Sequence, residues 1–412
     1  MAKWRLAGVA AAASLMMTGC GTAVEPLPAH PVAGLEIAQP TAGEASALAG
    51  FGERLYTELR GTAPNPVVSP LSVFAALGMA MSGADGATAQ AFASVLGLDT
   101  DALEAAVAYL LATLPSETAG TKLTVADSAW LDDSLTPEQD WVDRLRTYFS
   151  AEVYATDLQK PATVGQVNGW VNAQTGGLIP EMLATIDDDA AALLVNALYL
   201  GARWQEEFDT GLTHQGTFTR ADGSQTDAWY MAAPPATRRY IETADATGIV
   251  LPYQDGRLVF MAVRPATGSL TLKPGDLGRW LGAATYRDNV AVTMPKFHTE
   301  YGADLVDALA ALGLGAAFSP ATADFARLGH TAAGPLFISQ VAHKVSLDVG
   351  EKGTEAAAAT VVAMFASGAL PTDEITVTFD RPYLYAVVDQ VTGVPLFIGA
   401  LDDPALAPPT VQ

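Results

Sequence analysis

The spacing of apolar and polar positions changes period partway along this chain. From 42 to 59 apolar residues recur at three- and four-residue intervals, which predicts a helix with one buried side. The run 72–81 is apolar on most faces and predicts a helix enclosed all round. Helical spacing returns at 87–96, 101–114, 137–148 and 164–175, the last closing at Gly176-Gly177. Residues 122–131 read as a strand within this helical half, and 189–200 as a strongly apolar one. Beyond Arg203 strand patterns predominate: 249–252, 258–263, 291–294, 338–349, 374–379 and Tyr383–Asp389, with helices expected near 275–282 and at 304–312. Helices first and strands later, with no Pro/Gly/Ser-rich divider in the interior, indicate a single α+β domain.

The segment Gly353-Thr354-Glu355-Ala356-Ala357-Ala358-Ala359-Thr360 satisfies both periods. Residues 355–359 are good helix formers, and an Ala run is often a plain surface helix. The same residues also alternate as a strand. Thr354, Ala356, Ala358, Thr360, Val362 and Met364 share one face, small at one end and apolar at the other, with Glu355 on the opposite face. Gly353 supplies backbone freedom at the start. Nothing before the apolar end is too bulky to slide between two existing strands. A strand pattern precedes the segment, and the loop-like stretch 366–373 and two more strands follow it. It is a candidate conformational switch.

Five blocks in order carry a resemblance. They are Asn65-Pro66-Val67-Val68-Ser69-Pro70-Leu71-Ser72; Val195-Asn196-Ala197-Leu198-Tyr199-Leu200 with Trp204 and Phe208; Met294-Pro295-Lys296-Phe297; Glu351-Lys352 leading into the segment above; and Phe379-Asp380-Arg381-Pro382-Tyr383-Leu384-Tyr385 followed by Pro395-Leu396-Phe397-Ile398-Gly399. Over residues 44–404 the chain resembles the serpin family. The resemblance implies a single large domain with a helical N-terminal half, three β-sheets and an exposed reactive-centre loop at about 351–376. It implies an inhibitor of serine proteases in place of an enzyme. The loop is cleaved, the protease is held as an acyl-enzyme, and the hinge, Glu351 to Thr360, enters the central sheet. Ser69, Ser72, Asn196 and His343 correspond to the family's shutter, which holds that sheet closed, and Trp204 to the breach, where insertion starts. A non-inhibitory serpin-fold binding protein is the alternative. Such relatives tend to break the hinge with charged or bulky residues, which Thr354 and the Ala run are not.

Family spacing counted from Gly353 puts the reactive bond at Ser367-Gly368. The loop is longer than in common family members, and counting back from Pro382 reaches Leu370-Pro371. A bond before proline is a poor protease substrate, so the count from the hinge is preferred. Ala366 and Ser367 suit an elastase-like or subtilisin-like pocket; Phe365 or Leu370 would redirect the inhibitor to chymotrypsin-like enzymes. With no Arg or Lys between Gly353 and Arg381, trypsin-like targets are disfavoured.

Composition narrows the partners. A net charge of −23 argues against nucleic acid, against heparin-like polyanions and against an anionic membrane surface. The histidines His30, His214, His298, His330 and His343 are scattered without metal-like spacing, so neither metal nor cofactor is expected. No nucleophile elbow, zincin motif or phosphate-cradling loop occurs. At the N-terminus, Lys3 and Arg5 precede an apolar run, 6–17, too short to span a bilayer, and Met17-Thr18-Gly19-Cys20 follows. Residues 1–20 resemble a bacterial lipoprotein signal, with Cys20 the lipidated residue; an ordinary secretory signal is the alternative. Cys20 is the single cysteine, so no disulfide forms within the chain. Residues 21–43, with Pro26, Pro28, Pro31 and Pro40, read as a flexible tether, and 405–412 as a tail. The expectation is an exported monomer, lipid-anchored at the cell envelope or surface and otherwise secreted.

Overall fold

The computed structural model describes residues 4–5, 24–32, 34–118, 120–177, 179–188, 190–266, 271–354 and 374–409. Cys20, the hinge residues Glu355 to Thr360, and Phe365, Ala366, Ser367, Gly368 and Leu370 lie outside the described residues.

The first half holds α1 (Ala42–Leu59), α2 (Pro70–Gly83), α3 (Gly86–Leu96), α4 (Thr100–Thr113), α5 (Gln139–Tyr148) and α6 (Pro161–Gln174). Among them run β1 (Trp4–Arg5), β2 (Glu36–Ile37), β3 (Val67–Val68), β4 (Ser116–Thr118), β5 (Thr121–Leu131), β6 (Leu135–Pro137) and β7 (Glu152–Ala155). Next come β8 (Ala192–Arg203), β9 (His214–Thr219), β10 (Gln225–Glu242), β11 (Ala246–Pro252), β12 (Leu258–Pro265), α7 (Asp276–Ala283), β13 (Thr285–Pro295), β14 (Phe297–Asp304) and α8 (Val306–Leu309). The chain finishes with β15 (Gly329–Thr331), β16 (Ala342–Val349), β17 (Gly353–Thr354), β18 (Ile375–Thr378), β19 (Tyr383–Asp389) and β20 (Pro395–Leu401).

Local chemistry accounts for the main boundaries. A capping box starts α1: Glu44 N donates to Thr41 Oγ1 at 3.3 Å, and Thr41 N donates to Glu44 Oε2 at 2.6 Å. Ser69 caps α2 and Pro70 takes its first position, where a missing N–H costs nothing. The helix expected at 304–312 stops after Leu309 and passes into a wider turn, because Gly313 has φ 117°. The strand expected from 338 pairs only from Ala342.

Two of the three expected sheets are continuous. The 18-residue β10 serves both, giving a nine-stranded sheet in the order β18-β13-β10-β11-β12-β19-β20-β3, with β9 on β10. Bulges near Pro234 and Pro235 let so long a strand bend. The remaining sheet is divided. One part is β17-β8-β5-β4 with β7 on β5; the other is the pair β14-β16. Strand β8 alternates between two cores: Leu198, Leu200 and Ala202 face α2 in the main core, while Leu193, Val195 and Ala197 pack with Trp170 and Val171 of α6.

Residues 24–32, within the segment expected as a tether, lie along β7 and α5. Leu27 N donates to Val153 O at 2.6 Å, His30 N to Asp143 Oδ1 at 2.7 Å and Val32 N to Thr147 Oγ1 at 3.1 Å. These backbone donors find partners on the domain, which seats the stretch there.

Candidate functional site: the break in the divided sheet

Strands β8 and β16 belong to separate sheets among the described residues. At one end of the break the chain turns tightly after β16: Gly350 N donates to Gly353 O at 2.9 Å, and Gly353 N to Gly350 O at 3.2 Å. It then runs antiparallel to β8, with Gly353 opposite Arg203 and Thr354 opposite Ala202. Only glycine fits at 353. Its φ is 155°, and an added Cβ would lie 2.0 Å from Ala202 O.

Aromatic packing and hydrogen bonds hold this turn. Trp204, fully buried, donates from Nε1 to Gly350 O at 2.8 Å and from its backbone to Lys352 O at 2.8 Å. Its ring stacks on Tyr253 with centroids 4.7 Å apart. The Tyr253 hydroxyl lies 2.6 Å from Thr354 Oγ1, and both residues are buried. Burial pushes the Tyr253 phenol well above its ordinary pKa, so it remains a neutral hydrogen-bonding group. Glu351 accepts from Thr213 Oγ1 at 2.8 Å and from Lys296 Nζ at 3.1 Å. Burial alone would raise its carboxyl pKa. Hydrogen bonds from its own backbone amide, Thr213 and Lys296 outweigh that and hold it below the usual value.

Midway along the break, Ser69, Ser72 and His343 come together. Ser69 N donates to His343 Nε2 at 3.2 Å, and Ser69 Oγ to Ser72 Oγ at 2.9 Å. Burial draws His343 down to about 4, so the ring is neutral and its Nε2 can accept. Asn196 bonds one strand away: its Nδ2 donates to Asp127 Oδ1 at 2.8 Å. Asp127 is buried on β5 directly opposite Asn196, and desolvation pushes its carboxyl up to about 7. Among the described residues, Asp127 Oδ2 and Asn196 Oδ1 are buried without a hydrogen-bond partner, an unfavourable arrangement unless another group arrives.

At the far end the break widens into an apolar cavity of ≈ 50 Å³. It is lined by Leu77 and Ala80 of α2, Ala192 and Leu194 of β8, and Ile338 and Val341 before β16.

The structure thus brings together Ser69, Ser72 and His343, and separately Trp204, Glu351, Gly353 and Thr354, all singled out in the sequence. Sequence reasoning missed Asp127, Tyr253 and Thr213. Asp127 had a signal, a lone carboxylate inside the strand pattern 122–131; Tyr253 and Thr213 had none, because their partners lie far away along the chain.

Residues 46–404 match the family model for serpins, serine protease inhibitors, and the chain belongs to the serpin family, whose members are generally protease inhibitors and not enzymes. It is 32% identical over 369 residues to Serpin-ZXA of Oryza sativa, covering 84% of this chain and 92% of that one. An uncharacterized serpin-like protein of Thermococcus kodakarensis is 30% identical, with 87% of this chain and 85% of that one covered. Among solved structures, the thermophilic serpin tengpin in its native state superimposes with a TM-score of 0.83 at 30% identity, covering 92% of this chain and 97% of tengpin. Arabidopsis AtSerpin1, in a conformation described as native and stressed, superimposes at 0.77 with 28% identity, covering 89% and 100%.

Proposed function

We propose that this serpin traps serine proteases by inserting its cleaved loop into the break between β8 and β16. The observation that carries the reading is the pairing of Gly353 and Thr354, within the hinge, with β8, which points the residues that follow along the path of a new strand. Each step forward along the hinge is one step back along β8. Continued, this register sets Ala356 opposite Leu200, Ala358 opposite Leu198, Thr360 opposite Asn196, Val362 opposite Leu194 and Met364 opposite Ala192. The turn register, Gly350 with Gly353, sets Thr360 opposite His343 on the other side. The two registers agree.

The chemistry along that path fits the incoming residues. Alanines meet the bulky Leu198 and Leu200. A threonine hydroxyl reaches the row that holds the unpartnered oxygens of Asp127 and Asn196. Val362 and Met364 reach the apolar cavity. Ladder hydrogen bonds at about 1 kcal/mol each roughly offset the ordering of the inserted backbone. The surplus comes from burying Val362 and Met364, at roughly 1.5–3 kcal/mol each, and from satisfying the buried acceptors, at roughly 1–3 kcal/mol each.

In the proposed sequence of events the protease serine attacks the Ser367 carbonyl. An ester bond forms to Ser367, the peptide bond to Gly368 breaks, and Gly368 leaves as a free amine. Insertion of the hinge then carries the esterified protease away from its starting position before water can release it. The small Ala366 and Ser367 suit elastase-like or subtilisin-like enzymes, with chymotrypsin-like enzymes served through Phe365 or Leu370. Incubation with subtilisin or a pancreatic elastase, followed by a denaturing gel, should show a covalent adduct whose loop fragment mass ends at Ser367. Clean cleavage without an adduct would contradict the trap and favour a non-inhibitory binding protein.

The sequence around Cys20 further supports a protein anchored by lipid on Cys20 outside the cytoplasm. Intact-mass analysis of the membrane-associated protein should find an acylated N-terminal Cys20. An unmodified mature N-terminus elsewhere would refute the anchor.

A further inference from the structure

The chain carries 22 Lys and Arg against 45 Asp and Glu, so a face where arginines gather stands apart from the rest. Such a face lies on the nine-stranded sheet close to β18. Arg238 of β10 is directly opposite Arg287 of β13. Tyr240 is two residues along the same face, and the cross-strand row Glu242, Thr247 and Arg264 completes it over β10, β11 and β12. Like charges directly opposite each other destabilise a sheet. Within the described residues Arg264 and Arg287 make no ion pair at 4 Å or less, and Arg264 Nε is buried without a hydrogen-bond partner. Arg238 is anchored to the carbonyls of Pro234 and Val290, and its carboxylate neighbour Glu206 is 3.8 Å away and 70% exposed. Of the other nearby acids, Asp288 accepts from Thr237, and Asp380 accepts from Arg381 while lying close enough to Arg264 for a charge interaction.

Position says what could cover this face. β18, the first strand after the loop, is the edge of the sheet and runs parallel to β13 with Ile375 beside Val290. Arg287 precedes Val290 by three residues, about 10 Å along the strand. An enzyme engaged on the loop just before β18 would overhang it. We propose that Arg264 and Arg287, with Tyr240 between them, form an auxiliary docking surface for an acidic rim on the protease engaged at the loop. This rests on the trapping function argued above. A long polyanion fits less well. Charge interactions fade over about 8 Å at physiological salt, so a compact acidic rim can use the patch alone, whereas an extended chain would also meet the surrounding surface of a −23 protein.

Two measurements test this on the intact serpin. The first titrates a fluorescein-labelled octaglutamate peptide at low salt against wild type, Arg287→Glu and Arg264→Gln. Arg287 is exposed, so its substitution leaves the core alone. The second measures trapping rates for two subtilisin variants that differ only in a pair of rim residues, Glu in one and Lys in the other. The surface predicts peptide binding weakened about ten-fold or more by Arg287→Glu, and a rate advantage for the Glu-rim protease of about ten-fold that vanishes in the same variant, with the final yield of adduct unchanged. Equal rates for the two proteases on wild type, or peptide binding indifferent to both substitutions, would overturn it. Tighter, Arg287-dependent binding of a heparin oligosaccharide than of the peptide would overturn the assignment to a protein partner. If no adduct formed at all, the trapping function would fail, while the peptide titration would still decide the surface.

Discussion

Thr354→Arg will turn the proposed trap into a substrate: cleavage at the loop continues, and the covalent adduct disappears from the gel. Thr354 is 1% exposed, and its hydroxyl lies 2.6 Å from that of Tyr253 under the ring stack with Trp204. An arginine there would bury a charge, and Glu351 in the preceding turn is already held by Lys296 and Thr213. A buried unpaired charge costs several kcal/mol, and every 1.36 kcal/mol slows a step tenfold. In the intact protein that cost expels residue 354 from its pairing with β8, and re-burying it on insertion at about 3 kcal/mol would slow insertion more than a hundred-fold and let deacylation win. The proposed reactive bond is remote in sequence, so attack on it should proceed at the wild-type rate. Thr354→Val is the informative companion. It keeps shape and neutrality, and the one hydrogen bond it loses is already made in the intact protein, so the loss falls on both states and most of the adduct should be retained. A Thr354→Arg variant that trapped as well as wild type would remove hinge insertion from the mechanism.

Much of the fold was legible because its strongest elements are periodic within themselves. α1 was readable to the residue from its helical spacing alone, and the structure adds a capping box at 41–44. β19 was readable because a buried strand in the middle of a sheet is apolar at every position but its last. The failures have a common cause in long-range pairing. Nothing local in 225–242 says that one strand serves two sheets, or that the strand expected from 338 would open at 342, where its pairing with β14 begins. The seat of residues 24–32 depends on Val153, Asp143 and Thr147, more than a hundred residues away. A proline-rich stretch carries no trace of such partners.

The site divides in the same way. Gly353 and the alternating small residues announce themselves, because a segment able to enter a sheet must carry that pattern in its own sequence. The receiving surface carries no equivalent mark. Tyr253 meets Thr354 across 101 residues, and Asp127 meets Asn196 across 69. A carboxylate within an apolar strand is the one visible hint, and its meaning emerges only once the strand beside it is known.

If the proposed trap operates, cleavage should stabilise the molecule, because β8 and β16 lie in separate sheets among the described residues of the intact protein. Filling the cavity beside Leu194 and Val341, pairing along β8 and β16, and giving a donor to Asp127 or Asn196 all favour the inserted form. At about 2.1 cal/mol/K per residue, several kcal/mol in a domain of this size corresponds to an upward shift in melting midpoint of about 5–10 °C. The decisive measurement compares thermal unfolding of the intact serpin with that of the same protein nicked at the loop by a catalytic amount of protease. The account predicts that the nicked form melts well above the intact one; coincident melting curves would contradict it.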